Sequence, residues 1–314
     1  MTIGNVTLSD NPDKNPADQS DLGDVVAEGV GPWAIDLAKE GSVPGAGGEG
    51  TATPLHTFEN QDKKGGASFD PTARYAFSYS TVSASSTASK VNFDGDATAE
   101  EAYDAAVAGE CAVMYVGTAT FKGTDCQVSD ETYDFDVIPT SVPFRLCFQT
   151  PTRYLNCQNE NNEGEPFPDE EFQRGIPIVQ NGDSLAQITM HLDHPLYSEV
   201  EHEPSLYFDQ LAAALVGEPA GTVLTLDMLS GVDPTAFVDG AGDPLPWRVC
   251  DGSALPTSAQ RAFDTGSIPI GPGEDPATGF RDYVDFAKYV QSSMGHLNGG
   301  EGLCFTDRQY PSPQ

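Results

Sequence analysis

Cys111–Phe121 reads CAVMYVGTATF, a long apolar run that predicts a central strand buried on both faces. Two alternating segments follow it. Thr132–Ile138 sets Tyr133, Phe135 and Val137 against Asp134 and Asp136. Val142–Phe148 sets Val142, Phe144, Leu146 and Phe148 against Arg145 and Cys147. Period-two alternation is the signature of a strand with one solvated face. The three segments together predict an antiparallel meander.

Upstream, Met1–Leu8 (MTIGNVTL) alternates from its first residue, Gly31–Leu37 (GPWAIDL) is a short strand candidate, and Arg74–Ser80 alternates Tyr75, Phe77 and Tyr79 with small residues. Ser9–Asp24 and Thr150–Arg174 are polar, acidic stretches that read as loops, and Ile176–Val179 reads as an edge strand. Gly45–Gly50 matches GxGxxG formally, but it neither follows a buried strand nor opens a helix, so it reads as linker. Asn92–Asp96 (NFDGD) resembles a calcium loop but lacks its glycine and final glutamate, and reads as a turn. Thr98–Glu101 then forms a capping box for a short helix ending near Ala108.

The last third changes character. Ser205 caps an expected helix from Leu206 to Leu215, and Thr225–Leu229 and Thr257–Phe263 suit single helical turns. Gly279–Met294 predicts the longest helix, with Phe280, Val284, Ala287, Val290 and Met294 as its apolar stripe and Gly295 as its stop. The expected fold class is mainly β: an antiparallel β-sandwich with a few short helices, long acidic loops and one longer C-terminal helix. The expected organisation is a single domain over 1–314, mostly strands to residue 200, with a helix-containing extension over 201–314.

Forty-eight acidic residues face fifteen Lys and Arg, a formal net charge of −33. That balance excludes a general nucleic-acid binder and docking on an anionic membrane surface. The acidity fits a solvated face in a salty or extracellular setting, cation binding (calcium in the acidic loops being the weak case) or a basic partner. No apolar run is long enough for a transmembrane helix.

Six cysteines, Cys111, Cys126, Cys147, Cys157, Cys250 and Cys304, form no CxxC pair. An even count with few lysines predicts three disulfides and an extracellular, cell-surface or periplasmic location, with connectivity left open by spacing. No signal peptide precedes the first strand, so the expectation is that an export leader lies upstream of Met1, removed by processing or lost to a misplaced start.

The chemistry concentrates in Gln187–Tyr197, QITMHLDHPLY, which holds two of the five histidines. Read as a strand, it puts His191 and Asp193 on one polar face, and Pro195 bends the chain so that His194 swings towards them. His296, expected on a turn just after the last helix, is the distant candidate. Two imidazoles and a carboxylate suit copper or zinc, so His191, Asp193, His194 and His296 are the candidate metal ligands. His202 lies between two glutamates and reads as exposed, and His56 as an ordinary strand or loop residue. There is no GxSxG elbow and no HExxH motif to support nucleophilic or zinc-protease catalysis.

Several stretches are familiar together: Glu110–Gly123 (ECAVMYVGTATFKG), Phe148–Cys157 (FQTPTRYLNC), Ile188–Tyr197, Ser205–Ala212 (SLYFDQLA) and Val290–Cys304 (VQSSMGHLNGGEGLC). In that order they resemble an uncharacterised family of secreted or lipid-anchored proteins of myxobacteria and related bacteria. More remotely, they are similar to copper-binding partner proteins of methanobactin systems. The resemblance covers the last two-thirds of the chain. It implies an exported β-sandwich, retention of His191, Asp193, His194, His296 and Cys304, and a Cys157–Cys304 disulfide. The family's acidic calcium loop is reduced here to Glu218, between Val216 and Leu224.

The sequence therefore predicts an exported, disulfide-bonded, metal-binding protein without catalytic turnover. A structural or adhesive surface or filament protein, pairing with another surface protein or with itself through an exposed strand edge, is the first alternative. A metal-dependent hydrolase is the second.

Overall fold

A computed structural model describes residues 1–45, 50–196, 208–232, 241–243, 245–250, 252, 255 and 282–308. His202, the Ser205 cap, the Thr257–Phe263 turn and most of the Gly45–Gly50 motif lie outside the described residues. The strands, in chain order, are β1 (Thr2–Ser9), β2 (Val25–Ile35), β3 (Val43–Pro44), β4 (Thr51–Ala52), β5 (Arg74–Thr81), β6 (Ser89–Val91), β7 (Val113–Thr120) and β8 (Gln127–Val128). They continue with β9 (Ser141–Phe148), β10 (Thr152–Leu155), β11 (Ile176–Pro177), β12 (Ile188–Met190), β13 (Arg248–Val249), β14 (Gly295–Leu297) and β15 (Phe305–Arg308). The helices are α1 (Ala97–Ala108), α2 (Phe208–Ala213) and α3 (Tyr283–Ser292). The fold is mainly β, as the patterning predicts.

The chain forms two compact units, each assembled from separate stretches. The first takes Met1–Val113, Phe148–Leu192 and Ser292–Pro311. It is built on a seven-stranded sheet in the order β15-β10-β5-β1-β2-β6, with β11 also paired to β5. All pairings in it are antiparallel except β2 with β6. The aromatic alternation of β5 explains its central place. Tyr75, Phe77 and Tyr79 enter one core with Ile3, Val6, Leu8, Ala27, Tyr154, Cys157, Ile176 and Leu297. The opposite face of β5 is buried too, at Ala76 and Ser78. Truncating a ring such as Phe77 to alanine costs about 3–5 kcal/mol in such a setting.

β10 belongs to this sheet, although Thr150–Arg174 reads as a loop in sequence. Its four residues sit between Pro151 and the left-handed Asn156, too short a run for a period-two signal. The Cys157–Cys304 disulfide closes the end of β10 onto the segment leading to β15.

The second unit takes Met114–Cys147, Asp193–Gln291 and Ser312–Gln314. Here two strand expectations are corrected. The run CAVMYVGTATF is neither central nor doubly buried: among the described residues β7 pairs with β9 alone, and Val116 is 44% exposed. Thr132–Ile138 forms no strand but a 3₁₀ turn at Phe135–Val137. Asp130 accepts the Thr132 backbone N–H at 2.8 Å and Asp134 accepts that of Asp136 at 3.0 Å. These local bonds offer the backbone an alternative to a ladder.

β8 pairs with β13, beside the Cys126–Cys250 disulfide. On α3 the buried stripe is Tyr283, Phe286, Ala287 and Val290. Val284 is only partly buried, so the stripe is rotated from the one expected. The longest described helix is α1, capped by Asp96 rather than Thr98: its carboxylate accepts the Thr98 and Ala99 N–H groups.

Cys111 and Cys147 are disulfide-bonded as well, and no cysteine is free. Full oxidation points to an oxidising extracellular or periplasmic environment. Among the described residues, no helix is long and apolar enough to cross a membrane.

Candidate metal centre

The histidine site starts from a short antiparallel ladder. β12 pairs with β14 in the register Ile188↔Leu297, Thr189↔His296 and Met190↔Gly295. One further bond at each end extends it, His191 N–H to Met294 O and Asn298 N–H to Gln187 O, both 2.9 Å. One face of this ladder carries Ile188, Met190 and Leu297 onto the core of the first unit. Gly295 lies on that face against Tyr79 and Tyr154. A Cβ there would stand 2.1 Å from the Tyr79 hydroxyl, so the approach requires glycine.

The other face carries Thr189, His191 and His296. Since Thr189 stands opposite His296, His191 is its diagonal cross-strand neighbour, a spacing within reach of large side chains. The two imidazoles stack, with ring centroids 4.5 Å apart and planes at 29°. His296 is buried at 1% exposure and His191 is partly buried. The structure thus corrects two local expectations. The strand ends before His191, and His296 sits within a strand rather than on a turn after a helix stop.

The loop Asn298–Gly302 (NGGEG) closes over this face. Leu297 N–H donates to Gly302 O at 3.0 Å, and the Asn298 amide donates to Asn159 Oδ1 at 2.9 Å. A Cβ on Gly300 would lie 2.9 Å from His191 Nε2, and one on Gly299 would collide with the Glu160 carboxylate. The glycines therefore let the backbone pass directly over His191. Nothing in the histidine patterning reveals this; the signal was the GGEG run itself.

After β12 the chain turns, and His194 opens a 3₁₀ turn through Leu196, secured by Leu196 N–H donating to Asp193 O at 2.7 Å. His194 is 3% exposed, and its Nδ1 lies 3.1 Å from Val290 O. A carbonyl only accepts, so Nδ1 is the donor in this contact. A carbonyl in this position orients the imidazole ring, as backbone carbonyls do for histidines that ligate metals.

His191, His194 and His296 each offer one ring nitrogen, and these nitrogens all lie within 4.8 Å of one another. Tetrahedral coordination at about 2.0–2.1 Å separates ligand nitrogens by about 3.4 Å. Side-chain rotation on the order of an ångström closes the difference, so the group can hold a metal ion. Asp193 is exposed and stands outside the group. His56 is exposed, edge-on to Phe58 at 4.7 Å. Among the described residues, no acidic loop gathers three carboxylates at ligand spacing.

Comparison of the chain with protein-family models, curated proteins and solved structures found no match.

Proposed function

We propose that this is an exported metal-binding protein that holds copper or zinc through His191, His194 and His296 and performs no catalytic turnover. The observation that carries the reading is the convergence of three imidazole nitrogens within 4.8 Å. Ring nitrogens gathered this closely can share one cation, and borderline first-row metals favour imidazole. The disulfides supply a frame that keeps its shape outside the cytosol. The resemblance to copper-binding partner proteins favours copper between the two metals. An extracellular or cell-surface site of action is part of the same proposal, as is its ligand, a metal ion rather than a nucleic acid.

Elemental analysis of natively purified protein, alongside a His191→Ala/His296→Ala double variant, tests it. The expected result is about one copper or zinc per chain, lost in the variant. No bound metal in either protein, with both folded by circular dichroism, would sink the reading.

A further inference from the structure

The register that joins His191 to His296 also places Met294. Continuing the pairs Thr189↔His296 and Met190↔Gly295 by one residue sets His191 opposite Met294, and the His191 N–H to Met294 O bond at 2.9 Å confirms that step. In an antiparallel ladder, opposite residues share a face, and residues two apart on one strand share it again. Met294 and His296 therefore lie on the face that carries His191. The other methionine of this ladder, Met190, belongs to the opposite face, where it packs on the core of the first unit. Met294 is wholly buried, at 0% exposure, and is not part of that core.

We propose that the Met294 thioether is a further donor to the histidine group and makes it selective for Cu(I) over Zn(II). The inference rests on the metal-binding reading above and adds to it the residue that sets which metal is preferred. Thioether sulfur is a soft, uncharged donor that suits Cu(I), whereas Zn(II) is served by imidazole, thiolate and carboxylate. Three imidazoles alone accept either ion. A methionine directly across the ladder from one of them tilts the balance without adding charge. Its burial also keeps water from that side of the site.

The test compares the full chain with a Met294→Leu variant, titrated with Cu(I) under ascorbate against a chromophoric chelator and, separately, with Zn(II). The expected result is a loss of about 10–100-fold in Cu(I) affinity, the scale on which groups supporting a metal act, with Zn(II) affinity unchanged. Equal losses for both ions, or none, would overturn the role of Met294 while leaving the histidine site intact. Copper-edge X-ray absorption on selenomethionine-substituted protein gives a second readout that does not depend on the leucine variant folding. A copper–selenium contact that persists in Met190→Leu is expected. A shell of nitrogen alone with copper bound refutes Met294, and failure of the unaltered protein to take up either ion refutes the histidine reading with it.

Discussion

Two polar clusters of the chain, one around Arg174 and one of histidines, stand in contrast. Around Arg174, which is 1% exposed, the chain supplies an acceptor to each guanidinium nitrogen. Its Nε donates to Glu170 at 2.7 Å, Nη1 to Asn15 O at 2.8 Å and Nη2 to Pro16 O at 3.1 Å, and the guanidinium lies 4.6 Å from the Phe167 ring. The acidic loop between β1 and β2 is held down by these bonds and by Asn156, whose amide donates to Pro12 O and Gln19 O. At the histidine group the arrangement differs: three imidazoles converge, each offering a ring nitrogen within 4.8 Å of the others. A cluster that pairs donors with acceptors holds a fold together. One that converges imidazoles can hold a metal ion as well.

The contrast breaks if the two clusters respond alike to mutation. Arg174→Ala strands the Glu170 carboxylate, whose side chain is 9% exposed, and is expected to cost about 3–5 kcal/mol in urea denaturation, equally with and without added metal. A loss under about 1 kcal/mol would show that the loop is held elsewhere. The histidine group should behave oppositely. At a free metal concentration about 100 times Kd, binding adds about 2.7 kcal/mol of stability, and the His191→Ala/His296→Ala variant should lack that increment. Equal melting of both proteins with and without metal would remove the distinction.

A subtler change sharpens the comparison. Gly300→Ala puts a methyl group 2.9 Å from His191 Nε2, at the end of a side chain that can swing aside. The fold should lose little, while metal affinity falls about tenfold, equivalent to 1.4 kcal/mol. Calorimetric titration of the variant reads this directly, and an unchanged affinity would place the loop off the site.

How much of this was legible in the sequence follows the range of the interactions. The aromatic alternation of Arg74–Ser80 announced the central strand because cross-strand packing leaves a period-two mark. The pairing of β10 between β5 and β15 left none, since it depends on residues from three distant stretches. Cys111–Phe121 misled by composition: apolar character does not reveal how many neighbours a strand acquires, and among the described residues β7 acquires one. His191, His194 and His296 were identifiable by type, and two of them by proximity in the chain. Asp193 shared that proximity, but the turn leaves it exposed. The stacking of His191 on His296 depends on the β12–β14 register, which no local pattern encodes.

The smallest expected effect concerns the second unit and tests whether buried ion pairs generally behave like the Arg174 cluster. Arg248 donates from Nε to Asp209 at 3.0 Å, over the Phe121 ring at 3.9 Å. Yet burial raises the Asp209 pKa above the ordinary carboxylate value, and the hydrogen bond and charge of Arg248 do not fully offset it. The folded chain thus keeps a proton on Asp209 to higher pH than the unfolded chain does. Its contribution to stability falls as pH rises through the range above the usual carboxylate value of 3.8. Asp18, Asp70, Asp96 and Asp130 have lowered pKa values and act in the opposite sense, so the raw pH profile would hide this term. Subtracting the profile of Asp209→Asn isolates it. Wild type should lose stability relative to the variant as pH rises from 4 to 7, by about 1 kcal/mol, because desolvation consumes most of what a buried pair gains. A difference that instead grows in favour of wild type with rising pH would mean that Arg248 outweighs burial, and that this pair, like Arg174 with Glu170, holds its fold together as an ion pair.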